Sequence, residues 1–160
     1  MLIVKSSLLS SINKIGHGFS TKVGLDRKAP YYFNTSENVG DCFENVLENR
    51  TAFLNTIGIS GNSVAWQEQI HGDTIRIVEA PGKQGQSDAM ITSAKGIALA
   101  VSSADCAAVL IYDSGNDVIA AVHSGWKGTE LRITFKTLDK LKSDFGSSPE
   151  KLYAFVAPCI

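Results

Sequence analysis

The segment from Ile97 to Gly128 constrains the fold of this chain more than any other stretch. Small apolar and β-branched residues fill it, and short clusters of Ser, Asp, Asn and Gly interrupt them. Apolar runs separated by turn-forming residues are typical of consecutive strands. We therefore predict that Cys106–Tyr112 and Val118–His123 form two antiparallel strands joined by a short loop.

This hairpin brings Cys106 back beside His123, although many residues separate them in the sequence. Directly opposed residues of an antiparallel pair point to the same face. Cys106 lies opposite His123 if Tyr112 pairs with Asp117. A slip of one residue would send the two side chains to opposite faces.

Composition excludes several classes of protein. With 160 residues, 44% hydrophobic and 19% charged, the chain resembles one ordinary globular domain, and its net charge of −1 and lack of clustered Lys and Arg argue against nucleic-acid binding. No stretch predicts a signal peptide or a membrane span. Three widely spaced cysteines, Cys42, Cys106 and Cys159, do not suit a disulfide framework, which favours a reducing, cytoplasmic location.

The other elements follow from periodicity and capping signals. Asp41 and Glu44 resemble a capping box, so we predict that a helix begins at Asp41 and ends at Gly58. A lone histidine between glycines, His17, is interpreted as a packing or hydrogen-bonding residue. The remaining expectations are strands at 14–22, 63–70, 74–79 and from 151, a loop at 81–87, and a helix at 129–142 with Leu131, Phe135, Leu138 and Leu141 on one face.

Three potential metal ligands lie at predicted strand edges. His71 follows the strand at 63–70 in a polar turn, and Cys106 and His123 share the end of the hairpin. Thiolate sulfur and imidazole nitrogen suit Zn²⁺, and three protein ligands leave a position open, as in catalytic sites. The alternative is that Cys106 is a buried apolar residue and each histidine a hydrogen-bonding one.

A second candidate site follows His123 directly. Gly125 and Gly128 would let backbone amides approach a ligand, and Lys127 would add a positive charge. The segment leads into the predicted helix near Thr129, whose N-terminus favours anions. This pattern predicts an anion site, with a plain strand-to-helix turn as the alternative.

Several short motifs follow one another along the sequence. They are Gly18-Phe19-Ser20-Thr21-Lys22, Asn38-Val39-Gly40-Asp41, Glu48-Asn49-Arg50, Trp66-Gln67, His71-Gly72, Ser87-Asp88-Ala89, Ala104-Asp105-Cys106 and His123-Ser124-Gly125-Trp126-Lys127-Gly128. Their order resembles that of the YfiH family, which carries the label laccase-domain or polyphenol oxidase. The resemblance covers essentially the whole chain, which is shorter than a usual member at its C-terminal end. It implies a single domain over 1–160 that lacks its C-terminal portion.

The resemblance also implies a fold and a function. The fold is α+β, with mixed β-sheets in a sandwich flanked by helices. The implied activity is that of a zinc-dependent purine nucleoside phosphorylase with adenosine deaminase and methylthioadenosine phosphorylase activity, acting on purine nucleosides and phosphate. The implied zinc ligands are His71, Cys106 and His123, the same three residues that their chemistry suggested.

Further roles follow from this implied chemistry. We expect substrate or phosphate to be bound by Lys127, together with Lys22, Gln67, Gly125 and Gly128. The family usually has arginine at positions 22 and 127, and lysine lacks the bidentate hydrogen-bonding geometry of arginine. Asp88 and Asp105 are candidates for proton transfer, as glutamate is in zinc deaminases. The alternatives are that Asp88 is a solvated surface carboxylate and that Asp105 braces the turn before Cys106.

Counting ligands tests the laccase label. A multicopper oxidase needs many imidazoles, and this chain has three histidines, so we reject four-copper oxidation on ligand number. Two alternatives to zinc-assisted nucleoside chemistry remain open. One is a metal-free hydrolase with Cys106 as nucleophile and His123 as base. The other is a non-catalytic domain that binds a metal or a nucleoside; the oligomeric state is open.

Overall fold

The structure is a computed structural model that describes all 160 residues, and the chain divides into two compact units, Met1–Gly61 and Asn62–Ile160. The first contains an antiparallel pair, β1 (Ile3–Val4) and β2 (Phe19–Ser20), and the helices α1 (Ser7–Ser10) and α2 (Phe43–Thr56). Its predicted strand at 14–22 is reduced to β2, because β1 offers a partner only two residues long.

His17 and Asp41 of the first unit both bond to backbone amides. His17 Nε2 accepts a hydrogen bond from the Ser6 N–H at 3.0 Å, which confirms its expected hydrogen-bonding role. The predicted cap at Asp41 is wrong: α2 begins at Phe43, its N-cap Cys42 makes no side-chain cap bond, and Asp41 instead accepts from the Cys42 N–H. Gly58, with φ of +74°, follows the C-cap of α2 as predicted.

The second unit is built on two sheets. Five strands lie in the order β10-β8-β9-β6-β4, and three lie in the order β5-β3-β7. The strands are β3 (Val64–Glu68), β4 (Ile75–Ile77), β5 (Gly82–Gln86), β6 (Ala89–Thr92), β7 (Ala98–Ala100), β8 (Ala107–Asp113), β9 (Val118–Ser124) and β10 (Leu152–Val156). The five-stranded sheet is antiparallel except for the parallel β4–β6 pair, and the three-stranded sheet is parallel.

Two of these strands correct the sequence predictions. The segment 81–87 is not a loop, since Gly82–Gln86 pairs with β3; its polar composition suits a strand that stays largely exposed. The strands predicted at 63–70 and 74–79 exist as the shorter β3 and β4, but they belong to different sheets. The turn that carries His71 therefore connects the two sheets.

The predicted helix at 129–142 forms two helices. These are α3 (Trp126–Glu130) and α4 (Ile133–Phe145), which separate at Arg132, where φ is +62°. Two residues predicted for the apolar face, Leu131 and Phe135, are exposed, while Ile133 and Leu141 are buried. The break changes which residues share the buried face, because the periodicity restarts at Ile133.

The alternation of side chains along the strands divides the core into two layers. Ala89 and Ile91 of β6 pack with Ile133 and Leu141 of α4 on one face of the five-stranded sheet. Met90 points the other way and packs with Ala65 and Val78, close to Leu99 of the three-stranded sheet. The predicted α+β class, with mixed sheets and flanking helices, is thus confirmed. The single domain expected over 1–160 stays a prediction. None of the helices has the length and apolar character needed to cross a bilayer.

Candidate metal centre

The register of the β8–β9 hairpin brings Cys106 to the face that carries His123. The predicted hairpin is confirmed, but the predicted pairing of Tyr112 with Asp117 is wrong, since Tyr112 pairs with Ile119 and Ala108 with His123. Asp113 fixes this register, because its carboxylate accepts hydrogen bonds from the N–H groups of Gly115 and Asn116 in the turn. The observed register differs from the predicted one by two residues, so Cys106 and His123 still point to the same face of the hairpin.

His71, Cys106 and His123 form a single cluster. Their ligand atoms all lie within 4.8 Å of one another, and the two imidazole rings meet edge to face at a centroid distance of 4.8 Å. Ligands around one tetrahedral zinc ion lie about 3.5 Å apart. Small rotations of these side chains would therefore let the three residues hold one ion, and their sulfur and nitrogen donors suit zinc.

Gly125 leaves the space in which the cluster sits. It follows β9 at the position that continues the hairpin register opposite Cys106. A Cβ atom at Gly125 would lie 3.1 Å from Cys106 Sγ and 3.2 Å from His71 Cδ2, and its backbone is extended, with φ of −69° and ψ of 175°. Glycine is therefore needed at position 125 to leave room for the Cys106 and His71 side chains, and not to allow an unusual backbone conformation.

His71 adopts an uncommon backbone conformation. Its φ is +58°, in the left-handed region that residues other than glycine rarely occupy. Its side chain is exposed, whereas that of His123 is buried. The same turn is held from α4, because Lys136 Nζ donates to Asp73, and this bond keeps the pKa of Asp73 below its usual value.

Asp88 lies behind the two histidines and is fully buried. The alternative that it is a solvated surface carboxylate is therefore wrong. Its carboxylate oxygens accept hydrogen bonds from the backbone N–H groups of Ile70, His71 and Gly72, and Oδ1 lies 2.8 Å from His123 Nδ1. One buried carboxylate thus contacts the segments of both His71 and His123.

The other candidate residues of the second unit differ in their surroundings. Asp105 and Lys127 are exposed, and Lys127 Nζ lies 5.4 Å from the centre of the Trp126 ring. Gln67 Oε1 accepts a hydrogen bond from Ser87 Oγ, while its buried Nε2 has no hydrogen-bond partner. Asp105 therefore has the solvent access that a proton carrier needs.

The segment of Gly125 and Gly128 differs from the expected helix start. Helix α3 begins at Trp126, earlier than the predicted Thr129, and is five residues long. A Cβ at Gly128 would lie 3.0 Å from the Gly72 carbonyl oxygen, so this glycine allows α3 to pack against the His71 turn. In the first unit, Lys22 is exposed, and its Nζ lies 5.4 Å from the centre of the Tyr32 ring.

Sequence reasoning missed Gln69, which anchors the segment before Cys106. Its side-chain amide donates to the Ser102 carbonyl at 2.8 Å and accepts from the Ser102 N–H at 2.6 Å. Ser103 Oγ then donates to the Cys106 carbonyl. The signal available in the sequence was weak, since Gln69 precedes His71 by two residues in an otherwise ordinary polar stretch.

Comparison with known proteins identifies the family. Residues 16–160 match the family model described as multi-copper polyphenol oxidoreductase laccase, which is most of the chain. The chain belongs to this family. The resemblance to YfiH proteins is thereby confirmed, and two solved structures agree with it: YfiH of Bacillus licheniformis, with a TM-score of 0.82, and YlmD of Geobacillus stearothermophilus, with a TM-score of 0.84.

Curated relatives of this laccase-labelled chain are named purine nucleoside phosphorylases. The protein from Corynebacterium glutamicum is 37% identical over 86% of this chain and 58% of its own length. That from Deinococcus radiodurans is 34% identical over 91% of this chain and 57% of its own length. The two solved structures are 28% and 25% identical, each over 89% of this chain and 58% and 57% of theirs. The chain thus spans less than three fifths of each relative.

Proposed function

We propose that this chain carries the zinc site of a purine nucleoside phosphorylase that also deaminates adenosine and phosphorolyses methylthioadenosine in the cytoplasm. The cluster of His71, Cys106 and His123 is the observation that carries the proposal, because its donor set and spacing suit one zinc ion. The names of the two curated relatives support the nucleoside substrate. A zinc ion held there would supply a Lewis acid and lower the pKa of a bound water to about 7.

The chain's own residues would bind the substrates and move the proton. N-glycosidic cleavage passes through an oxocarbenium-like state, so phosphate must be held near the sugar. We assign phosphate to Lys127, with the amides of Gly125 and Gly128 as further contacts. Lys22 of the first unit is proposed separately as a phosphate-binding residue. Gln67 is proposed as a substrate contact, because its buried Nε2 has no partner within the chain.

Proton transfer in deamination falls to Asp105 in this proposal. It precedes the ligand Cys106 and is exposed, whereas all the hydrogen-bonding contacts of Asp88 are internal. Asp105→Asn is expected to slow inosine production more than adenine production. Equal loss of both products would instead indicate that Asp105 only braces the turn before Cys106.

The proposed activity is tested with purified protein and adenosine, with and without phosphate. Adenine with ribose 1-phosphate indicates phosphorolysis, and inosine indicates deamination. Zinc removal is expected to abolish inosine production and to reduce phosphorolysis less steeply, since phosphorolysis needs no activated water. The absence of all three products in zinc-loaded protein would contradict the proposal for this chain.

Two cysteine variants test the proposed zinc ligand Cys106. We expect about one zinc per chain and its loss in Cys106→Ser, because the thiolate is one of three protein ligands. Cys42→Ser is the control, since Cys42 is also a free cysteine but belongs to the first unit. Full zinc content in Cys106→Ser by elemental analysis would refute the ligand assignment.

The contact between Asp88 and His123 also favours a second candidate, a metal-free cysteine hydrolase. Cys106, His123 and Asp88 have the order of nucleophile, base and orienting carboxylate found in catalytic triads. His71 has no part in that mechanism, yet it completes a metal site. Iodoacetamide separates the two: zinc should protect Cys106 from alkylation, whereas a working dyad would be alkylated and inactivated in protein as purified.

A further inference from the structure

We propose that Asp88 is a positioning residue that sets both histidine ligands at once, through the imidazole of His123 and through the backbone of His71. The inference rests on the proposed metal site and assigns it a residue that lies outside the ligand set. Asp88 does so from a fully buried position at the start of β6.

The contact with His123 is set by strand pairing. Ala89 pairs with Val122, so Asp88 lies opposite His123, and the His123 N–H donates to the Asp88 carbonyl at 2.7 Å. Opposed residues share a face, which brings the Asp88 carboxylate to His123 Nδ1 at 2.8 Å. A carboxylate accepts, so Nδ1 carries the proton and Nε2 is left to bind the metal.

The contact with His71 is made through three successive amides. The N–H groups of Ile70, His71 and Gly72 donate to the Asp88 carboxylate at 3.3, 3.0 and 2.8 Å. Converging amides of this kind bind an anion. They hold the turn in which His71 adopts its φ of +58°, and this backbone conformation directs the His71 ring toward His123.

Each carboxylate oxygen of Asp88 makes two hydrogen-bonding contacts. Oδ1 accepts from the His71 N–H and lies beside His123 Nδ1, while Oδ2 accepts from the N–H groups of Ile70 and Gly72. An asparagine offers one acceptor oxygen. In either orientation its NH₂ group would face donors, so the amide would serve one half of this arrangement and disrupt the other. The geometry therefore favours a carboxylate, and we expect the isosteric Asp88→Asn to lose part of this arrangement.

The test compares Asp88→Asn with Asp113→Asn by zinc titration against a chromophoric chelator. Asp113 is the matched control, because it is also fully buried in the second unit and also accepts backbone N–H groups, in the turn at the opposite end of the hairpin, but through Oδ1 alone, so that asparagine keeps the bonds that set the register. We expect the zinc dissociation constant to rise 10- to 100-fold in Asp88→Asn, as for other partners of metal-bound histidines. Asp113→Asn should match the unsubstituted protein.

Each outcome has a separate meaning. Unchanged zinc affinity in Asp88→Asn overturns the inference alone, as does an equal loss in Asp113→Asn, which would indicate general destabilisation. Failure of the unsubstituted protein to bind zinc overturns the proposed function and this inference with it.

A measurement on unsubstituted protein avoids any folding defect of Asp88→Asn. Nitrogen-15 spectra of the metal-free protein are expected to show a proton on Nδ1 of His123, because Asp88 accepts there. A His123 ring whose single proton lies on Nε2 would overturn the inference. Neither spectrum depends on activity.

Discussion

Replacing Gly125 with alanine should damage the metal centre more than the fold. The backbone of Gly125, with φ of −69° and ψ of 175°, is open to alanine, so the substitution adds no backbone strain. The added Cβ would instead lie 3.1 Å from Cys106 Sγ and 3.2 Å from His71 Cδ2. Two of the three proposed ligands must therefore move.

The required movement can be compared with the tolerance of a metal site. Ordinary contacts of a Cβ begin at 3.4 Å, so Cys106 Sγ and the His71 ring must each shift by about 0.2 to 0.3 Å or more. Metal–ligand distances tolerate about 0.2 Å. We expect the zinc dissociation constant to rise at least tenfold, which is about 1.4 kcal/mol. Overpacking of the metal-free protein should cost about 1 kcal/mol, because His71 is exposed and can yield.

The assay is zinc titration together with urea unfolding of the metal-free protein. Gly61→Ala is the control, since Gly61 also lacks a positive φ and the nearest atom to its added Cβ, in the Leu54 side chain, is 4.0 Å away. It should leave zinc affinity unchanged and raise stability slightly, through the unfolded state. Unchanged zinc affinity in Gly125→Ala would refute the reasoning that this position sets the ligand spacing.

Three further predictions concern the rest of the chain. Cys42→Ser should stabilise the protein by about 0.5–1 kcal/mol in urea unfolding, because the N-cap of α2 now lacks a side-chain cap bond. The hydrogen bond from Tyr112 to Asp117 raises the pKa of Tyr112 to about 12, so this tyrosine should titrate last in alkaline absorbance scans. The stability that this bond contributes should be lost between about pH 10 and 12, and Tyr112→Phe should remove this loss from the pH dependence of unfolding. Burial opposes ionisation of Asp113, but hydrogen bonds from Asn116 and Gly115 help to outweigh it, and the pKa of Asp113 is lowered from 3.8. Its stabilisation should be complete above pH 3.8 and lost as the pH falls below that value; acid unfolding of Asp113→Asn should lack this component.

The hairpin was predictable from sequence because its signal is local. Apolar strands and a polar loop specify β8 and β9, and their shared face survives a register error of two residues. The register itself was not predictable, since it depends on hydrogen bonds from the turn amides to Asp113. The same limit applies to β5, whose polar residues form a strand only because β3 offers an edge.

The role of Asp88 could not be predicted, because it depends on which strands are neighbours. In the sequence, Asp88 follows a polar segment, which suggested a solvated carboxylate. In the structure, β6 lies beside β9, and the turn with His71 folds over the start of β6. A prediction of that strand order would have paired Asp88 with His123. The spacing role of Gly125 was hidden for the same reason, since its neighbours Cys106 and His71 are remote in sequence.

The family description names copper, but the ligand inventory of this chain supports one metal ion. Of its three histidines, His17 lies in the first unit and accepts a backbone hydrogen bond, which leaves His71 and His123 with Cys106. Two imidazoles and a thiolate also occur in blue-copper sites, where a long axial methionine completes the set. The one methionine of the second unit, Met90, packs in the core with Ala65 and Val78. Without a methionine at the cluster, this ligand set suits the Lewis-acid role proposed above better than an electron-transfer site with an axial thioether.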